Sequence, residues 1–261
     1  MIFLTPQLKP LFPDASFKKI MELKGEVFRA LEGRRTQRIQ YGDDVFFVKH
    51  HFGVGWKEII KNVFQLRLPV ISAKNEWSAL ERLKELKVNA PEILGYGACG
   101  WNPASRQSFI ITRSLQNTQS LEDICALWQN IPPPFSLKYN LIRKMAEMVQ
   151  ILHENGINHR DLYLCHFLLD MASIEETSHL KLYLIDLHRA QLRKKIPMRW
   201  RIKDLAGLYF SSKKIGLTKR DILRFIKKYR NNSLRNVLNQ EMHFWQKVKK
   251  RGDTLYRKYE Q

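Results

Sequence analysis

A chain of 261 residues with 44% hydrophobic and 27% charged residues has the make-up of a folded protein, either one two-lobed domain or two small ones, and excludes a disordered chain. Forty-five Lys and Arg against 25 Asp and Glu leave a formal charge of +20, which directs the protein toward nucleotide, nucleic acid, acidic lipid or acidic protein. Three scattered cysteines, Cys99, Cys125 and Cys165, with no C-x-x-C pair, fit a reducing compartment and argue against a disulfide framework.

The N-terminal Met1-Ile2-Phe3-Leu4-Thr5-Pro6 lacks the basic region and apolar core of a signal peptide. No run approaches 18 apolar residues, so the expectation is a cytoplasmic protein that lies against a membrane at most. Residues 26–31 and 36–41 read as strands around Glu32-Gly33-Arg34-Arg35, and a third strand, 45–48, ends at Lys49. Taken alone, Lys49 is a surface lysine at a strand end. Between Lys49 and Ser72, the residues Trp56, Ile59, Ile60, Val63 and Phe64 recur at helical spacing with Lys57 and Lys61 among them. Two readings stand: an interfacial helix on anionic lipid, or, the more ordinary one, an amphipathic helix packed on its own domain.

Ser72 is expected to cap a helix running to about residue 87, stopped before Pro91. Glu76 falls on its apolar stripe of Ala79, Leu80, Leu83 and Leu86, and an acid on a buried face requires a partner. Glu81 and Glu85 read as solvated. Gly95-Tyr96-Gly97-Ala98-Cys99-Gly100 spells G-x-G-x-x-G, but Trp101-Asn102-Pro103 follows where a dinucleotide fingerprint opens a helix. It reads as a hairpin turn between 92–94 and a strand at 108–112. A helix is expected from the N-cap Ser136 to Asn155, with Leu137, Leu141, Met145, Met148 and Leu152 inward and Gly156 as its stop.

The stretch 157–191 carries the chemistry. His159-Arg160-Asp161 is followed by Leu162-Tyr163-Leu164-Cys165-His166, a strand-like Phe167-Leu168-Leu169, a polar gap, and Leu184-Ile185-Asp186. Phosphoryl transfer requires one carboxylate to accept a hydroxyl proton and another to hold Mg²⁺ on the β- and γ-phosphates. The same ingredients in the same order form the protein-kinase signature. Within that resemblance Lys49 matches the phosphate-holding lysine of a third strand, Glu76 its ion-pair partner, and residues 112–115 the hinge that cradles adenine. Residues 192–203 hold six basic side chains and no acid; they form either a solvated basic loop or an anion dock for a phosphorylated substrate. Asp204 opens the next helix, as a cap or as a brace for the catalytic loop. Helices at 218–229 and from 233 to about 258 follow, the first with Thr218 and Asp221 as a capping box.

The strings at 159–169, Ile185-Asp186-Leu187-His188-Arg189-Ala190-Gln191 and 199–205 resemble the lipopolysaccharide core heptose(I) kinases of Gram-negative bacteria, as do 32–36, 47–49 and Pro69-Val70. The resemblance implies a protein-kinase-like α+β fold, with a small β-rich N-lobe at 1–114 and a helical C-lobe at 115–261. It implies ATP and Mg²⁺, and a heptose hydroxyl of the lipopolysaccharide inner core as acceptor on a lipid A precursor. It also implies a place at the cytoplasmic face of the inner membrane. The expected roles are Asp161 as base, Asp186 on Mg²⁺, and Lys49 with Glu76 on the nucleotide. Arg34 and Arg35 replace the flexible glycines of a phosphate loop. His166 stands where kinases carry Asn, either as a metal ligand or to orient Asp161 or a phosphate. An anionic membrane surface and a small acidic protein such as acyl carrier protein are compatible partners; nucleic acid is not expected. The rival readings are a protein or small-molecule kinase of the same fold and a non-catalytic basic module.

Overall fold

A computed structural model describes residues 2–14, 16–31, 33–64 and 70–260. Glu32 of the predicted turn and Pro69 lie outside them. The chain divides into two compact units, Met1–Arg82 with Pro91–Leu115 and Leu187–Arg189, and Leu83–Ala90 with Gln116–Asp186 and Ala190–Gln261.

The first unit contains β1 (Ile2–Leu4), α1 (Phe17–Met21), β2 (Glu26–Leu31), β3 (Arg34–Tyr41), β4 (Asp44–His51), α2 (Gly55–Phe64), most of α3 (Lys74–Glu85), β5 (Ile93–Cys99) and β6 (Gln107–Arg113). Its antiparallel sheet has the order β1-β5-β6-β4-β3-β2. Alternation along β4 sends Phe46 and Val48 inward to Leu94, Phe109 and Ile111, and α1 closes this core with Ile20 and Met21. Lys49 is not the end of its strand, because β4 pairs with β3 and β6 on through His51.

Gly95 and Gly97 also depart from expectation. They lie inside β5 rather than in the turn, because a Cβ at Gly97 would stand 2.4 Å from the Phe109 ring and one at Gly95 2.8 Å from Leu4. These glycines admit neighbouring side chains to the sheet. Ser72 Oγ accepts the Lys74 N–H at 3.3 Å, and α3 ends at Glu85, two residues before the expected stop.

The second unit contains β7 (Thr118–Ser120), α4 (Leu121–Cys125), α5 (Phe135–Glu154), β8 (Ile157–Asn158), β9 (Phe167–Asp170), β10 (Leu182–Leu184), β11 (Gln191–Leu192), α6 (Met198–Ser211), α7 (Lys219–Arg230) and α8 (Leu234–Glu260). Leu141, Met145, Met148 and Leu152 form the inner face of α5. Ser136 is not its N-cap: Pro134 takes that position without a side-chain bond, since its fixed φ already suits the helix start. Thr218 and Asp221 close a capping box on α7.

Residues 198–203 are the first turns of α6 rather than loop, so Asp204 lies in mid-helix and caps nothing. Of the two readings of α2, the outward-facing one fits three residues of the stripe, Trp56 54%, Ile60 50% and Phe64 84% exposed, while Ile59 is half-buried. Val63 belongs to the predicted stripe, but its side chain lies outside the description. No described helix is long and apolar enough to cross a membrane.

Candidate active site

In the first unit, Lys49 lies between Thr36 of β3 and Ile110 of β6, and its Nζ donates to Glu76 Oε1 of α3 at 2.6 Å. The Glu76 side chain is 4% exposed and that of Lys49 24%. Truncating Lys49 therefore removes an ion-pair partner from a nearly fully buried carboxylate. Burial holds the imidazoles of His50 and His51 below their usual range, His51 to about 3, with Arg34 adding to the shift at His51. Both rings are neutral near pH 7 and place no further cation beside Lys49. Arg34 Nη2 donates to Val70 O at 2.8 Å, and the Arg35 guanidinium sits 5.3 Å from the Phe52 ring centroid.

In the second unit, α5 stops at Gly156, whose φ of 78° suits glycine and where a Cβ would meet Arg193 O at 1.7 Å. β8 then pairs with β11, so the segments before His159 and after Asp186 are joined from the outset. Asp204, 1% exposed, accepts the His159 N–H at 2.7 Å through Oδ2 and the Arg160 N–H at 2.8 Å through Oδ1. His153 Nε2 lies 3.4 Å from the same Oδ2. This brace holds Arg160 at φ 75°, a left-handed conformation disfavoured for a side chain of its size. Asp186, at φ 60°, shares that conformation. Two of the five described non-glycine residues with positive φ thus adjoin or carry the two carboxylates.

The two carboxylate segments are stitched together. Buried His159 donates from Nε2 to Ile185 O at 3.0 Å, and Ile185 N donates to His166 O at 3.0 Å. Burial lowers the His159 pKa, with Asp204 opposing, and the ring is neutral. His166 Nδ1 lies 2.7 Å from Asp161 O, its Nε2 3.5 Å from Asp186 Oδ2, and its ring stacks on His159 at 5.5 Å.

Comparison with known proteins fits this arrangement. The family model described as lipopolysaccharide kinase (Kdo/WaaP) matches residues 18–229. The chain belongs to that family. It is 50% identical to the lipopolysaccharide core heptose(I) kinase WaaP of Escherichia coli K12, over 87% of this chain and 86% of that one. It is 44% identical to the WaaP of Pseudomonas aeruginosa PAO1, over 92% and 90%. A solved structure of WaaP in complex with acyl carrier protein superposes with a TM-score of 0.85 at 39% identity, covering 98% of this chain and 99% of that one. The fold is accordingly protein-kinase-like, with a β-rich lobe and a helical lobe.

The family's chemistry includes a divalent cation, and the donor set fits one. A His166 Nδ1–H donating to the Asp161 carbonyl turns Nε2, which carries a lone pair in the unprotonated ring, toward the Asp186 carboxylate. Two acceptors facing each other suit a cation between them. Mg²⁺ accepts one or two protein ligands and completes its shell with phosphate oxygens and water. A ring nitrogen is a poorer ligand for it than oxygen, so Asp186 is the stronger donor. Among the described residues no group of three or more His, Cys, Asp or Glu side chains is placed to hold a metal alone.

Two residues of this site carried no sequence signal. His153 sits on the buried face of α5, where it reads as a core histidine, and Ser211, at the end of α6, accepts the Leu164 N–H at 3.0 Å.

Proposed function

We propose that the protein transfers the γ-phosphoryl group of ATP to a heptose hydroxyl of the lipopolysaccharide inner core, on a lipid A precursor. The observation that carries this reading is His166, hydrogen-bonded to the backbone of Asp161 and facing Asp186, in a chain of the lipopolysaccharide kinase family.

Asp161 accepts the proton of the sugar hydroxyl as its oxygen attacks the γ-phosphorus and ADP departs. Lys49, held by Glu76, neutralises phosphate charge on the nucleotide. Asp186, with His166 beside it, would hold Mg²⁺, which would supply charge neutralisation on the transferring phosphate. Arg34 and Arg35 are secondary phosphate contacts, each already steadied by its partner in the β-rich unit. Residues 112–115 are the adenine hinge, and the two lobes divide near residue 114. With γ-labelled ATP and core lipopolysaccharide lacking inner-core phosphate, label is expected on heptose. Label on a generic protein substrate, or on no acceptor, defeats the reading.

The acceptor is lipid-anchored, and α2 is suited to the same surface. Trp56, Ile60 and Phe64 repeat every fourth residue, all exposed, with Lys57 and Lys61 alongside. An apolar stripe flanked by lysines lies in the plane of an anionic bilayer. This supports a peripheral position at the cytoplasmic face of the inner membrane. Vesicles containing phosphatidylglycerol should bind the wild type and release a Trp56→Ser/Ile60→Ser variant, with affinity lowered roughly tenfold or more. Equal binding by both proteins rules out α2 as the contact. Acyl carrier protein, a small acidic partner of the related WaaP structure, suits the charge of +20.

A further inference from the structure

We propose that the cavity walled by the catalytic loop, the end of α6 and the end of α8 binds a second sugar ring of the acceptor, next to the one that is phosphorylated. This rests on the acceptor reading above and assigns it a subsite.

The cavity encloses about 400 Å³, within the usual range for small-molecule sites, roughly 300–1,000 Å³. Its position is set by Tyr163, two residues after Asp161, whose ring lies 6.0 Å from that of His166 and 6.1 Å from that of Phe210. Phe210 in turn meets Tyr256 at 6.5 Å and Tyr259 at 5.7 Å, all three contacts edge-on. A cluster of aromatic rings thus begins beside the proposed base and ends on the C-terminal helix.

The polar groups decide the ligand class. Glu122, Ser211, Lys214 and the tyrosines share the cavity with those rings. Aromatic rings take the C–H faces of a sugar, while a carboxylate and hydroxyls take its hydroxyl edge. Glu122 stands exposed at the rim of the cavity, where its carboxylate takes sugar hydroxyls and repels a phosphate-bearing nucleotide. Lys214, 61% exposed, is ion-paired with Glu260 at 3.5 Å and lies over the Tyr256 and Tyr259 rings, so it adds a donor to the cavity edge while Phe210 and Tyr163 carry the apolar contact. The Cys165 thiol is pushed up to about 11, first by burial and then by Glu122, so it is a neutral wall.

The site is also pre-formed. Leu164 N donates to Ser211 Oγ, and a Cβ at Gly207 would stand 2.9 Å from Leu162 O, so α6 lies tight under the loop. Lys213 and Lys249 both clamp Asp253, at 2.6 and 2.7 Å, and a Cβ at Gly252 would stand 2.5 Å from the Tyr209 ring. These contacts hold α8 on α6 and fix Tyr256 and Tyr259 in place.

Two substitutions at exposed positions test this without disturbing the core. Tyr259→Ala removes one ring, and Ala126→Trp fills the cavity from its rim. With the full-length enzyme, ATP and core lipopolysaccharide lacking inner-core phosphate, each variant should raise the acceptor KM roughly tenfold. The ATP KM and the thermal midpoint should remain close to wild type. An unchanged acceptor KM in both variants, or an equal rise in the ATP KM, overturns the subsite. Failure of the wild type to phosphorylate this acceptor overturns the function reading on which the subsite rests.

Discussion

Asp161→Ala is expected to lower kcat by roughly 10²- to 10⁴-fold, the usual effect of losing a positioned general base. ATP affinity should stay within about twofold, because the proposed phosphate partners, Lys49 and Asp186, remain. Stability should also persist: the loop is held by backbone groups of His159, Arg160, Leu164 and His166, none of which needs the Asp161 side chain. Single-turnover phosphate transfer beside equilibrium nucleotide binding separates these effects. A rate within tenfold of wild type would remove Asp161 from proton transfer.

Asp204→Ala is expected to damage both fold and rate. The change leaves the buried His159 and Arg160 N–H groups without an acceptor, at about 1–3 kcal/mol each. For a chain of this length that corresponds to a fall in Tm on the order of 10 °C. Arg160 then loses the carboxylate that fixes its backbone N–H in the left-handed conformation, so Asp161 loses its aim. Asp204→Asn, which keeps one acceptor oxygen, should fall between the two. Calorimetry with kcat measured well below the new Tm distinguishes misplacement from simple unfolding. A Tm change under about 2 °C with normal turnover would show the brace to be dispensable.

Much of the site was legible in sequence because its chemistry and its burial leave the same mark. Glu76 announced a partner by lying on an apolar stripe, and Lys49 stands 2.6 Å away. Asp161 stood out through the His159-Arg160-Asp161 triplet and Asp186 through the apolar run Leu182-Tyr183-Leu184-Ile185 before it, most of which becomes β10. Asp204 was legible only in part. The basic run 198–203 hides the first turns of α6, so a buried mid-helix acid looked like a helix start. The stripe of α2 was read correctly in spacing but left between two directions, since periodicity marks a face but not what the face meets. Nothing in a linear pattern places Tyr259 near Tyr163; that required α8 to be clamped on α6 through Asp253. The left-handed backbones of Arg160 and Asp186 were invisible for a related reason: other segments impose them.

The neutral thiol of Cys165 has a consequence for inhibitor design. A cysteine within reach of a substrate cavity invites electrophilic warheads, yet burial and then Glu122 push its thiol up to about 11, so the reactive thiolate is scarce at pH 7. Acrylamides and chloroacetamides should therefore label it slowly. Reversible compounds that compete for the ring of Phe210 offer the better starting point against this enzyme.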